Sequence, residues 1–161
     1  MRCRKMPMHL AIGTLVALLC SLMGSAVAVT VPQTTEQLVG NSSDAVRGTV
    51  ASVRSQWDDN HTMIYTVVTI DVSEIVLGSI EKGRAISVYV PGGLVKDTGL
   101  MVEHAPKFEE GEDVLVFLTQ LQGMYGVTSW EMGKFTVQNG NVREKNLPVT
   151  DYINEIKAVK K

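Results

Sequence analysis

Two long stretches in which apolar and polar residues alternate constrain the fold of this chain more than any other feature. The first starts at Ala45, and the second runs from about residue 63 to residue 76. Alternation with a period of two is typical of β strands that bury one face. The alternation slips by one position at residues 51–53, which predicts a β bulge, and Gly48 predicts a sharp bend. Both features help a sheet to curl, so the chain is predicted to be mainly β.

A second strong feature is the unbroken apolar run over residues 114–118. A strand without alternation is typical of a central position that is covered on both faces. An earlier strand, predicted at residues 85–90, ends abruptly at Pro91-Gly92-Gly93, a turn that needs unusual backbone angles. Between these two strands, residues 94–112 show no clean period and are predicted to form a long loop.

Three shorter strands complete the predicted sheet. They lie at residues 124–129, 134–137 and 142–143, and Asn139-Gly140 between the last two is a strong signal for a tight hairpin. Six or seven strands with short turns and one long loop predict a single small barrel, closed or partly open. A β sandwich is the alternative.

One helix is predicted before the strands and one after them. Thr34 starts a capping box with Gln37, so a short helix is predicted that ends near Gly40. Thr150 or Asp151 is predicted to cap a C-terminal helix. The apolar stripe of this second helix consists of Tyr152, Ile153, Ile156 and Val159.

The first 28 residues have the composition of a secretory signal peptide. Their apolar run, residues 10–23, is about 14 residues long, whereas a membrane-spanning helix needs about 20. An uncleaved membrane anchor is therefore the weaker alternative. The other signal-peptide features are the cationic residues Arg2, Arg4 and Lys5 and the small residues Ala26 and Ala28 before the predicted cleavage point.

Cleavage after Ala28 would leave residues 29–161 as one secreted or periplasmic domain without a membrane segment. It would remove Cys3 and Cys20, so the mature domain would have neither a disulfide nor a thiolate metal site. The whole chain has 15 cationic and 17 acidic residues and a formal charge of -2. All the acidic residues lie beyond residue 28, so the mature domain is more acidic still, and no nucleic-acid partner is predicted.

Few residues in the chain are suited to catalysis or metal binding. His61 and His104 are the only histidines beyond residue 28, too few for a three-histidine zinc site. Asp58 and Asp59 beside His61 are interpreted as an exposed hairpin tip, and the acidic residues at 103–113 as a charged loop. The chain has no Gly-x-Ser-x-Gly elbow, so a hydrolase is the weakest of three functional hypotheses. No catalytic residue, metal or cofactor is predicted.

Several strand and turn motifs, taken together, resemble a known group. They lie at residues 44–50, 65–78, 88–93, 105–108, 111–118 and 133–135. The chain resembles uncharacterised bacterial exported proteins whose barrel is similar to the OB-like, netrin-type modules, the class that includes the tissue inhibitors of metalloproteinases. The resemblance covers about residues 40–140 and implies a small OB-like Greek-key barrel.

The resemblance also bears on function. The animal inhibitors use an N-terminal cysteine to approach the protease metal, and the mature domain here has no cysteine. No functional residue is therefore carried over from them. The leading hypothesis is an exported, non-enzymatic interaction module whose partner is an exported protease or another exported protein. The alternative is a barrel that binds a small ligand or an oligosaccharide.

Five residues are predicted to form the binding surface together with the loop at residues 94–112. Tyr65 and Tyr89 are the stronger candidates, because both lie on the strand face opposite the inward aliphatic rows. Trp57, Trp130 and His104 complete the predicted surface. Aromatic side chains suit this role because they combine a large contact area with a polar group.

Overall fold

The computed structural model describes residues 33–121 and 123–159. The predicted signal peptide and its cleavage at Ala26 and Ala28 lie outside these residues. No helix in the described residues is long and apolar enough to cross a membrane. The described strands are β1 (Asp44–Trp57), β2 (Ile64–Leu77), β3 (Ala85–Pro91), β4 (Gly93–Val95), β5 (Thr98–Leu100), β6 (Asp113–Leu121), β7 (Met124–Val127), β8 (Lys134–Gln138), β9 (Asn141–Val142) and β10 (Leu147–Pro148). The described helices are α1 (Thr35–Asn41), a 3-10 helix (Trp130–Gly133) and α2 (Val149–Val159).

Five of the strands pair in a barrel-like ring. β1 pairs with β2, β2 with β3, β6 with β7, and β6 with β1, in each case antiparallel. β3 and β7 complete the ring through one parallel pair, Val88 with Tyr125. β8 pairs with the first half of β6 and extends the sheet through β9 to β10. The predicted mainly β fold with one helix at each end is therefore confirmed.

The apolar run in β6 is buried on both faces, as its sequence predicts. Val114, Val116 and Leu118 belong to the core inside the ring, whereas Leu115 and Phe117 belong to a second core beneath the helices. Burying one such side chain contributes about 1.5–3 kcal/mol to folding. The helix residues in the second core are Leu38 of α1 and Tyr152, Ile153 and Ile156 of α2.

β1 and β2 form a long hairpin that curls because its register is irregular. The register shifts between Val50 and Ser52, which confirms the predicted bulge. A second shift lies next to Gly48. A Cβ atom at Gly48 would lie 2.3 Å from the backbone oxygen of Asp71, so only glycine allows the two strands to come this close.

The two predicted helix starts have different outcomes. Thr34 is the N-cap of α1 and forms the predicted capping box with Gln37. α2 begins at Val149, so Thr150 and Asp151 lie inside its first turn instead of capping it. The reason is that the short strand β10 leads directly into α2, and the Val149 N–H donates to the backbone oxygen of Gly140 at 2.9 Å.

The prediction of an unbroken loop over residues 94–112 is wrong in its first part. β4 and β5 form a small antiparallel hairpin there, and residues 101–112 then contain no strand. The turn of this hairpin has Lys96 at φ 54°, a backbone conformation that is uncommon outside glycine, asparagine and aspartate. The hairpin between β8 and β9, in contrast, has the predicted Asn139-Gly140 turn, with positive φ at both residues.

Candidate functional site

The β4–β5 hairpin is attached to one end of the ring. The Leu94 N–H donates to Ser55 Oγ at 3.3 Å, and Thr66 Oγ1 donates to the Gly92 oxygen at 2.7 Å. Gly93 has φ 140°, and a Cβ atom there would lie 2.3 Å from Ser55 Oγ. The close approach at Gly93 and the positive φ of both glycines explain why Pro91-Gly92-Gly93 ends β3 so abruptly.

An open groove of about 710 Å³ lies between this hairpin, the end of the ring and residues 105–109. Most of its surface is apolar, and Thr66, Lys107 and Glu109 supply its polar side chains. This cavity is called the groove below. Its other lining residues are Val53, Val68, Val90, Pro91, Gly92, Gly93, Leu94, Gly99, Leu100, Met101, Val102, Ala105, Pro106 and Phe108.

A second depression of about 510 Å³, called the side pocket below, lies beside the groove. The two share Val90, Pro91 and Pro106, so they form one continuous surface. The remaining residues of the side pocket are Asn41, Tyr89, Thr119, Leu121, Gly126, Val127, Thr128, Ser129 and Trp130.

Large exposed apolar side chains are concentrated on this continuous surface. In the described residues six large hydrophobic side chains are exposed, and four of them line the groove or the side pocket. Leu94 and Met101 in the groove are 67% and 96% exposed. Leu121 and Trp130 in the side pocket are 68% and 48% exposed. A patch of this kind is typical of a site for another molecule.

Trp130 is held by a strained backbone segment. Ser129 and Trp130 both have positive φ, at 55° and 59°, and His104 opposite them has φ 59°. The Glu131 N–H donates to the His104 oxygen at 3.1 Å, and the Glu131 carboxylate is 2.8 Å from His104 Nδ1. This hydrogen bond raises the pKa of His104. Strained non-glycine residues of this kind cluster at functional sites.

The structure brings together some of the five predicted surface residues. Tyr89 and Trp130 both line the side pocket, and His104 is attached to the same segment through Glu131. Tyr65 lies on the outer face of β2, where its hydroxyl contacts Met63 Sδ at 3.5 Å and it lines neither depression. Trp57 lies at the end of β1 and stacks on the His61 ring, with the ring centroids 6.2 Å apart.

Sequence reasoning identified the segment that forms the groove but not its residues. Leu94, Met101 and Phe108 lie in the stretch without a period, so no alternation indicated which of them would be exposed. The available signal was composition alone, because Leu94 and Met101 are large apolar residues in a segment otherwise rich in polar residues. Isolated exposed hydrophobic residues are common, which makes that signal weak.

Several of the acidic residues singled out in the sequence accept hydrogen bonds from other groups of the fold. Glu112 accepts hydrogen bonds from Lys134 and Thr136. Burial raises the pKa of Glu112, but these hydrogen bonds outweigh burial and hold it below its ordinary value. Asp58 accepts from the Thr62 and Met63 N–H groups at the tip of the β1–β2 hairpin, and the Met63 bond is the main reason why its pKa is lowered.

The polar side chains of the groove are few. Its lining contains no serine, cysteine, histidine or aspartate, and its polar side chains are those of Thr66, Lys107 and Glu109. Within the described residues, no group of three or more histidine, cysteine, aspartate or glutamate side chains is placed to hold a metal ion. The geometry is suited to burying apolar side chains of another molecule.

No protein-family model matches this chain, and no curated protein is similar to it in sequence.

Proposed function

We propose that this chain is an exported, non-enzymatic binding module that engages another exported protein through the groove and the side pocket. The observation that carries the proposal is the gathering of Leu94, Met101, Leu121 and Trp130 on one continuous apolar surface. Apolar surface of this kind contributes binding free energy when a partner removes it from water.

Other features support the remaining parts of the proposal. The signal-peptide composition of residues 1–28 supports export. The mainly apolar lining of the groove, with polar side chains only at Thr66, Lys107 and Glu109, supports binding without catalysis. The resemblance to netrin-type modules supports an exported protease as one class of partner, and the absence of cysteine beyond Cys20 means that binding would not use a thiolate.

A small ligand is the second candidate, because the volume of the groove suits one. Sites for small molecules usually have about 300–1,000 Å³ and are mainly apolar with few polar groups, and the groove of about 710 Å³ fits this description. An oligosaccharide is the less favoured ligand, since Phe108 is the only aromatic residue in the groove. Thermal stabilisation of the protein by members of a ligand panel would favour this second candidate.

A crosslinked pull-down from the exported protein fraction of the host, read by mass spectrometry, tests the main proposal. The full chain is compared with a groove variant, Leu94→Ser with Met101→Ser, and with the control Met63→Ser. Met63 is one of the two exposed large apolar residues in the described part of the chain that lie outside both depressions. We expect one protein to be enriched by the wild type and the control and lost with the groove variant. Equal enrichment by all three would contradict the proposal.

A further inference from the structure

Part of one edge of β1 is open. β1 pairs with β2 from Ala45 to Trp57, apart from the bulged Ala51, but its pairing with β6 ends at Thr49. Val50 is then bonded to the backbone of residues 111–112. In the part of the chain that the structure describes, no strand pairs with this edge over residues 52–57.

The register shows which backbone groups point outward from this edge. The Asp58 N–H donates to the Met63 oxygen of the β1–β2 hairpin at 2.8 Å. In an antiparallel pair, residues alternate between bonding to the partner strand and pointing away from it. Counting back from Asp58, the residues that direct their N–H and C=O groups away from β2 are Val53, Ser55 and Trp57.

One of these outward groups is already bonded by a side chain. Glu110 Oε1 accepts the Val53 N–H at 3.1 Å. The carboxylate therefore occupies the place that a backbone oxygen of a neighbouring strand would take, and charged side chains of this kind protect open edges from unwanted pairing. Within the described residues, the backbone groups of Ser55 and Trp57 on this edge have no backbone partner.

The open edge borders the groove. Val53 belongs to the groove lining, and Ser55 Oγ accepts the Leu94 N–H of the hairpin that forms one side of the groove. We propose, on the basis of the function proposed above, that the partner protein adds an extended segment to this edge as a further strand. Main-chain hydrogen bonds to Ser55 and Trp57 then hold the segment, and every second side chain enters the groove.

The surroundings define the kind of segment that fits. Side chains directed into the groove meet Val53, Leu94 and Phe108, so they are apolar. Side chains on the other face lie beside Arg54, which is exposed and has no ion-pair partner within the described residues. Opposite charges on neighbouring strands attract each other. The segment is therefore extended, apolar at every second position, and acidic at a position between two apolar residues.

Peptides selected from a displayed library of random 12-residue sequences against the full chain test this strand addition. Their affinity is measured for Ser55→Pro and for the matched control Ser55→Ala. Both variants lose Oγ, but only proline loses the outward N–H, and proline is tolerated on strand edges. We expect at least about tenfold weaker binding to Ser55→Pro than to Ser55→Ala, since about 1.4 kcal/mol corresponds to a factor of ten. Equal affinities would overturn the proposed strand addition.

Two further measurements distinguish the contribution of the β1 edge to peptide binding from that of the groove. They also test the proposal if the variant Ser55→Pro does not fold. In the first measurement, the backbone amides of the peptide are N-methylated one at a time, and the affinity of each methylated peptide for the wild-type protein is measured. Strand addition requires that methylation weakens binding only at every second position. If the weakening does not alternate along the peptide, the proposed strand addition is overturned. Loss of peptide binding in the variant Leu94→Ser supports the proposal that the groove binds side chains of the peptide. Unchanged peptide binding in that variant contradicts the proposed function itself.

Discussion

Tyr152 in α2 is fully buried, and within the described residues no group meets its hydroxyl in full hydrogen-bond geometry, the Thr35 hydroxyl being a neighbour that lowers its pKa only slightly against the effect of burial. Its ring packs edge-on against Phe135, with the ring centroids 5.1 Å apart. The nearby Thr35 hydroxyl donates its own proton to Glu155 at 2.6 Å. A buried hydroxyl without a partner costs about 1–3 kcal/mol. Tyr152→Phe removes this cost and leaves a void the size of one oxygen atom, about 15 Å³, which costs about 0.4 kcal/mol.

The variant is therefore expected to be more stable than the wild type by about 1–2 kcal/mol. Urea unfolding at pH 7, followed by tryptophan fluorescence, measures the difference. Tyr65→Phe is the matched control, because the Tyr65 hydroxyl is near the surface, and it is expected to change stability by less than about 0.5 kcal/mol. If Tyr152→Phe were less stable than the wild type, the hydroxyl would have a partner in solution and the reasoning would be refuted.

The same hydroxyl makes stability depend on alkaline pH. Burial raises the pKa of Tyr152 to about 12, above the ordinary value for tyrosine. The folded state holds the Tyr152 proton more tightly than the unfolded state does. The part of the free energy of unfolding that depends on this proton is therefore complete below about pH 10 and is lost as the pH rises towards 12. The wild type is expected to lose about 2–3 kcal/mol over this range. Tyr152→Phe has no phenol proton, so its free energy of unfolding is expected not to show this loss. If the free energies of unfolding of the two proteins fell in parallel as the pH rises, the assignment of the loss to Tyr152 would be contradicted.

Three further substitutions test other parts of the fold. Gly133→Ala places a Cβ atom 1.9 Å from the Thr128 oxygen, and thermal unfolding is expected to show a loss of at least about 2 kcal/mol. Gly40→Ala in α1 has open space around its Cβ, so a gain of about 0.5–1 kcal/mol and a higher Tm are expected. Glu112 has a lowered pKa in the folded state, so its contribution to stability is present above its unfolded pKa and is lost as the pH falls. Glu112→Gln is therefore expected to flatten the acid side of the stability curve, measured by urea unfolding between pH 3 and 7.

The features predicted from sequence are those with a local physical cause. The run over residues 114–118 in β6 has no polar residue, and its length is typical of a strand covered on both faces. Asn139 and Gly140 tolerate positive φ, and Thr34 with Gln37 satisfies the first N–H groups of α1. Each of these signals is contained within a few neighbouring residues, and each is confirmed.

The features that were missed depend on contacts between distant parts of the chain. β4, β5 and β10 are two or three residues long, too short to show a period, and the β4–β5 turn uses Lys96 instead of glycine or asparagine. The groove forms only when this hairpin meets β1 and β2 through Ser55 and Thr66. The side pocket brings Tyr89 and Trp130, which are 41 positions apart in the sequence, into one lining, and no local pattern encodes this.

β3 and β7 are connected by the single residue pair Val88 and Tyr125, so their junction is the weakest strand pairing in the ring. β2 and β3 share seven pairs, whereas β3 and β7 share this one. Local opening occurs where the fewest interactions must break, so amide hydrogens at this junction are expected to exchange first among those of the ring. Tyr89, Val90 and Pro91 on one side of the junction and Gly126 and Val127 on the other all line the side pocket. A molecule bound in the side pocket contacts both strands and therefore slows the exchange of these amide hydrogens. Slower exchange at the junction would then report that the side pocket is occupied and that the ring has become more rigid.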